Sequence, residues 1–304
     1  MRKLIAFIAF FAMLLPAVQA CSICGCGGGN FYMGLLPDFK NRFIGIRYRY
    51  YQYHTQVAND HTQFSHNYYH SAEIWSGWNI GKRWQLLAFI PYYMTRQVDD
   101  DGRTNKNGLG DISLLVNFQL IGQSRNKSKN PGKEQELWLG GGLKLPTGTF
   151  RVNVNDPNTT IADINAQIGT GSVDFLFSAS HHIPLNQMGV NTIFNYSLRT
   201  ANSSQYRFGN RLVASTAAYY RFRVLGLSMA PNLGFSYVNT SPNYLKNQQI
   251  DLTGGYAWSG LAGLECNINR LAFGFNLQAP MAQQYAGGQT KMQVGAMVHL
   301  TMIF

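Results

Sequence analysis

The sequence is short of charge. Lys, Arg, Asp and Glu make up 13% of its 304 residues, where soluble domains carry roughly 25%. A soluble enzyme of this size needs more charge than that on its surface. Long apolar runs are also missing. Beyond the first 20 residues no stretch of roughly 18 apolar residues occurs, which argues against transmembrane helices. No phosphate-binding loop, nucleic-acid motif or nucleophile-elbow sequence is present, so nucleotide chemistry and nucleic-acid binding are not expected. What is plentiful is glycine (31) and aromatic residues (17 Tyr and 19 Phe), with a formal net charge of +11. Few charges, many aromatics and no spanning helix together point to a β-barrel in a membrane. The basic balance suits anionic lipid or anionic solutes, or simply decorates loops and rims.

The first residues stand apart from the rest. Arg2 and Lys3, an apolar run, Pro16 and Val18-Gln19-Ala20 have the form of a secretory signal peptide over residues 1–20. Residues 21–41 form a Cys/Gly-rich segment that begins Cys21-Ser-Ile-Cys24-Gly-Cys26 and continues with three glycines. Three thiolates this close could hold Cu(I) or Zn(II). In an oxidising compartment they could instead form a disulfide. A third reading makes Cys21 a lipidated first residue, which Gln19 fits poorly. The glycines give the segment enough slack to act as a small plug.

From residue 42 the chain alternates with a period of two, the mark of strands with two different faces. Twelve such segments are predicted: about 42–54, 67–80, 83–96, 110–121, 135–146, 170–182, 188–199, 207–222, 226–238, 252–266, 270–279 and 292–304. The last is the clearest. Met292, Val294, Ala296, Val298, Leu300, Met302 and Phe304 form one apolar set, and Gln293, His299 and Thr301 belong to the other. Strands of this length suit a tilted membrane crossing. Short links alternate with long polar ones at 55–66, 97–109, 147–169, 200–206, 239–251 and 280–290, and only the long link at 122–134 breaks that rule. Pro91 demands a bulge or an edge-like site. The expected fold is all-β: an up-and-down antiparallel transmembrane barrel over 42–304, rather than a secreted sandwich. Its final aromatic, Phe304, resembles the closing residue that marks bacterial outer-membrane barrels for assembly. The expected setting is a Gram-negative outer membrane with both termini periplasmic. The expected partners are outer-membrane lipid, the barrel-assembly machinery and a small-molecule solute.

The face opposite the apolar one carries Arg47, Arg49, Glu73, Asp111, Lys144, Asp174, Arg199, Arg211, Arg221 and Glu265. Charges inside a barrel must be paired or hydrated. They read either as structural ion pairs or as a lining that selects solutes. Twelve strands imply a narrow or partly plugged bore. His54, His61, His66 and His70 cluster around the first long link, but their spacing fits no zinc template and a polar rim is the simpler reading. Ser178, Ser180 and His182 share a strand face, yet a polar lumen holds such residues anyway, so no enzymatic activity is expected.

Two stretches resemble a known family. Gly108-Leu-Gly-Asp111 opens the fourth strand, and Leu145-Pro-Thr-Gly148 closes the fifth. Together with the strands between them they look like the outer-membrane family named after the MetA pathway of phenol degradation. That family is similar to hydrophobic-compound transporters of the fatty-acid type. The resemblance implies a barrel and passive uptake of small apolar or amphipathic molecules. The cysteine-rich start lies outside it. An alternative role is a barrel presenting a periplasmic copper or zinc site, and a more remote one is a lipid-modifying barrel enzyme.

Overall fold

An alternating strand is stable when its apolar face meets an apolar medium and its polar face meets neighbours or water. The computed structural model describes residues 41–57, 60–99, 102–122, 135–156, 159 and 161–304. Its strands join into one closed antiparallel barrel of twelve staves. The first six are β1 (Phe43–Val57), β2 (Asp60–Ile80), β3 (Trp84–Asp99), β4 (Gly102–Leu109 and Ser113–Ile121), β5 (Glu136–Lys144) and β6 (Asp174–Leu185). The second six are β7 (Met188–Arg199), β8 (Arg211–Tyr220), β9 (Leu227–Thr240), β10 (Gly255–Ile268), β11 (Leu271–Tyr285) and β12 (Thr290–Met292 and Gly295–Ile303). Consecutive staves pair. Closure comes from β1 against β12, in register from Phe43↔Ile303 to Tyr50↔Ala296. The start of β1 and the end of β12 therefore share one rim, the terminal rim, and the other is the far rim.

The links at the terminal rim are tight where the sequence supplies turn chemistry. Leu225 and Gly226 take positive φ (49° and 84°) between strands that pair Val224 with Leu227, the backbone hand that a two-residue hairpin needs. The far rim behaves differently. Residues 55–57, 60–66 and 97–99, expected in loops, are strand: β1 and β2 pair through Thr55↔Ser65, and β3 continues to Asp99 against Gly102. Their sequence is polar, but above an apolar belt a strand needs no apolar face, and Thr, Phe and Val suit the pleat.

Two irregularities have local causes. Pro91 lies mid-strand with its β2 register intact at Glu73↔Pro91. The bulge appears on the partner instead: Tyr92 pairs with Leu109 and Phe89 with Ser113, so β4 carries one extra residue. Proline has no N–H to hold the partner in step. In β12 the pairing breaks at residues 293–294, which reverses the parity above it. Met292 is therefore buried inside rather than joining the outer set, whereas Leu300, Met302 and Phe304 are exposed outside.

The outer face is continuous apolar surface. Ile44, Ile46, Ile74, Val116, Phe175 and Leu277 belong to it, all exposed. A contiguous patch beyond a few hundred Å² is not left bare in water. Aromatic side chains flank it: Trp78, Trp84 and Tyr220 near the terminal rim, and Tyr92 and Trp258 toward the far rim. Two aromatic girdles around an aliphatic belt are what a bilayer with two interfaces selects.

Candidate functional site: the barrel interior

The pairing register sets a row of residues across the inner wall. It runs Glu265, Gly274, His299, Arg47, Glu73 and Pro91, each directly opposite the next on β10, β11, β12, β1, β2 and β3. Arg47, Glu73, Glu265 and His299 are all buried. Arg47 pairs with Glu73 through Oε1, and Arg49 Nη2 lies 2.9 Å from Oε2 of the same carboxylate. The Arg47 guanidinium also lies 5.0 Å from the Trp75 ring centroid. His299 Nε2 is 3.0 Å from Glu265 Oε2, and its Nδ1 is 3.2 Å from Thr301 Oγ1. Gly274 sits between His299 and Glu265, and a Cβ there would be 2.6 Å from Glu265 Oε1. The glycine lets those two side chains meet across the wall. Beside this row Phe43, Trp75, Leu87, Phe89, Leu115 and Leu176 form an apolar cluster inside the barrel. The terminal half of the lumen is therefore a packed wall of ion pairs and rings.

A second cluster lies toward the far rim. Asp111 Oδ2 accepts from Lys144 Nζ (2.7 Å), Thr170 N (2.9 Å) and Thr170 Oγ1 (2.8 Å). Its Oδ1 accepts from Gly148 N at 2.9 Å. Lys144 Nζ also lies 3.0 Å from Asp174 Oδ2. Thr147 Oγ1 donates to Gly110 O (3.0 Å) and accepts from Ile112 N (2.9 Å). The Gly-Leu-Gly-Asp and Leu-Pro-Thr-Gly stretches thus meet as one clamp. Gly148 and Gly169 are required there, since a Cβ on either would come within 3 Å of Asp111 Oδ1.

The clamp holds the link between β5 and β6, which includes a five-residue helix, α1 (Ile161–Asn165). This link reaches across the far mouth. On one side Lys106 Nζ of β4 donates to Asp163 O at 3.4 Å. On the other, Val154 and Ile164 pack with Tyr206 and Phe208, joined by Phe150, Leu245 and Ile250. Tyr206–Arg207, Tyr244–Leu245 and Gln248–Gln249 add a small three-stranded sheet to the same cap.

The inner wall also encloses a small cavity with a mixed polar and apolar lining. This cavity of about 30 Å³, room for a water or two, is lined by Arg49, Tyr51, Val213, Ser236, Asn276 and Gln278 among others. Both side-chain amide atoms of Asn195 and of Asn232 are buried without a partner. Arg199 and Arg211 are 7% and 8% exposed, and among the described residues neither makes an ion pair.

The ten charged residues singled out in the sequence therefore separate into groups. Glu73 joins Arg47 and Arg49, Lys144 joins Asp111 and Asp174, and Glu265 joins His299. Arg199 and Arg211 stay apart, and Arg221 lies half-buried at the terminal rim, 5.6 Å from the Tyr219 ring centroid. Cys21, Cys24 and Cys26 lie outside the described residues, as does any plug formed by 21–40. His54 and His66 face each other across β1 and β2 with ring centroids 4.4 Å apart, and His70 Nδ1 is 2.6 Å from Tyr48 Oη. His182 Nε2 is 2.8 Å from Tyr219 Oη. The hydroxyls of Thr147, Thr170 and Ser172, which complete the clamp, carry no charge and so gave no signal in the sequence beyond the Leu-Pro-Thr-Gly stretch.

A closed twelve-stave barrel with an apolar belt, aromatic girdles and a charged interior defines a transmembrane barrel of the outer-membrane type. Among solved structures the chain is similar to an outer membrane channel from Pseudomonas putida F1, with a TM-score of 0.62, 13% identity, and coverage of 96% of this chain and 100% of that one. It is also similar to the β domain of the Bordetella autotransporter BrkA (TM-score 0.49, 9% identity, 87% and 100% covered). No family model and no curated protein matches the sequence.

Proposed function

We propose that the protein is a passive channel of a Gram-negative outer membrane for small apolar or amphipathic molecules, without enzymatic activity. In this reading residues 1–20 are the export signal and the barrel-assembly machinery recognises the terminal aromatic. Both termini are periplasmic, because the long folded links gather at the opposite rim, where outer-membrane barrels carry their external loops. One observation supports transport above a merely structural barrel. Buried amides such as those of Asn195 and Asn232 lack protein partners, and an unmet buried amide costs about 1–3 kcal/mol. An interior built only for stability would exchange them for apolar residues. Water or a passing solute satisfies them here. The bore is narrow, so passage depends on movement of the cap held by Asp111 and Lys144.

The test is conduction by the purified full chain in planar bilayers. Discrete current steps, together with flux of a small neutral solute into proteoliposomes, are expected. Silent bilayers and impermeable proteoliposomes with correctly folded protein would overturn the reading. Asp111→Asn removes the charge that holds Lys144 and weakens the acceptor for Thr170 and Gly148. It should raise open probability and expose residues 148–169 to protease.

A further inference from the structure

Among the described residues most inner-wall charges lie against an opposite charge or a histidine, and Arg199 and Arg211 make no ion pair. Arg199 ends β7 and Arg211 begins β8, both toward the far rim. Both are more than nine-tenths buried. Arg199 Nη1 and Arg211 Nε are buried without a hydrogen-bond partner. Asp174 is directly opposite Arg199 in the ladder, but its oxygens are used elsewhere. Oδ2 lies against Lys144 Nζ at 3.0 Å, and Oδ1 accepts from Ser172 Oγ at 2.9 Å and Thr200 N at 3.3 Å. Among the described residues the aromatic ring near the Arg199 guanidinium is Phe208, at 5.9 Å. A buried guanidinium with unused donors is costly unless an anion completes it.

The surroundings say what kind of anion. Val213, one inward position along from Arg211, lines the interior cavity, and so does Tyr51 on β1. Tyr51 and Tyr53 pack with Tyr285 and Met292 into an apolar bank, extended by Tyr69 edge-on to Tyr53 at 5.7 Å. One wall thus offers guanidinium forks and the other offers ring faces and edges. Guanidinium forks fit planar carboxylates two hydrogen bonds at a time, and tyrosine rings accept an aromatic or short aliphatic body.

We propose that Arg199 and Arg211 bind the acid group of a small amphipathic organic anion, a carboxylate or sulfonate, whose apolar body rests on the tyrosine bank. This names the solute class for the channel reading above and rests on it. No covalent step is involved. The arginines give the passing anion a partner toward the far rim.

The probe is sodium benzoate, with benzyl alcohol as the neutral control of the same body and acetate as the anion without it. Binding to the purified full chain is measured by calorimetry, and conduction is measured on the same preparations. Benzoate should bind more tightly than either control. Arg199→Gln with Arg211→Gln should weaken it by about tenfold per arginine, the loss of one charged hydrogen-bonding partner each. Lysine at both positions should restore part of that loss, because charge returns without the fork. Heat-modifiable mobility confirms that each variant is folded. Equal binding of benzoate and benzyl alcohol, or an unchanged double variant, would overturn the proposal. The two readings fail separately. Arginine-dependent binding without conduction removes the channel and keeps the site, whereas conduction without arginine-dependent binding removes the site and keeps the channel.

Discussion

Arg47 and Arg49 occupy the same inner wall as Arg199 and Arg211, and the barrel treats the two pairs in opposite ways. The first pair, near the terminal rim, shares the carboxylate of Glu73 and lies among Trp75, Phe89 and other buried rings. The second pair, near the far rim, makes no ion pair among the described residues, and the aspartate opposite Arg199, Asp174, has its oxygens engaged elsewhere. Both pairs are about equally buried, so burial does not distinguish them. Compensation does. Charges that are matched within the wall hold staves together, and the two that make no ion pair among the described residues are the ones we assign to a solute.

The comparison is tested hardest at Glu73. Glu73→Gln keeps the shape and removes the charge, leaving two buried guanidiniums unopposed. Breaking a buried pair from one side costs about 3–5 kcal/mol. The urea midpoint for unfolding from lipid vesicles should fall accordingly, with Arg47 and Arg49 doing the damage. An unchanged midpoint would mean that the first pair is hydrated like the second, and the contrast would collapse.

Gly274→Ala should have the next largest effect. The new methyl would occupy the space between His299 and Glu265, and overpacking of this kind costs about 1–3 kcal/mol. The measurement is again the unfolding midpoint, with Gly260→Ala as a control, since the nearest atom to a Cβ there is 3.6 Å away. Equal shifts in the two variants would show that the gap at Gly274 is not what admits the pair.

The architecture was legible because a period of two leaves little freedom once one face must be apolar. The apolar faces of β1 (Ile44, Ile46) and β4 (Leu114, Val116) lie outside as their alternation implies. The far-rim extensions of β1 to β4 were not legible. Beyond the belt both faces are polar, so Thr55 and Gln56 read as loop although they continue the ladder as Thr55↔Ser65 and Gln56↔Phe64. Met292 was misplaced because a two-residue break in pairing leaves no mark in an apolar string. For the interior, inward-facing charges could be named from parity, but their partners could not. Glu73 and Arg47 are 26 residues apart and Glu265 and His299 are 34 apart, and only the register brings them together. That Arg199 and Arg211 make no ion pair among the described residues is likewise a property of side-chain reach, which periodicity does not carry.

The smallest effect on stability is expected where the sequence would suggest a large one. Removing two buried arginines from a wall usually leaves acids unopposed, yet here no acid depends on them. Asp174 keeps Lys144, Ser172 and the Thr200 N–H when Arg199 is gone, and Arg211 makes no ion pair among the described residues. Glutamine at both positions also removes two uncompensated charges from a low-dielectric interior, which by itself is favourable. Arg199→Gln with Arg211→Gln should therefore shift the unfolding free energy by less than about 1 kcal/mol, the range of substitutions that break no buried pair. It should do so while changing how the bore treats anions. A loss as large as that of Glu73→Gln would make the second pair structural like the first, and the anion site would lose its physical basis.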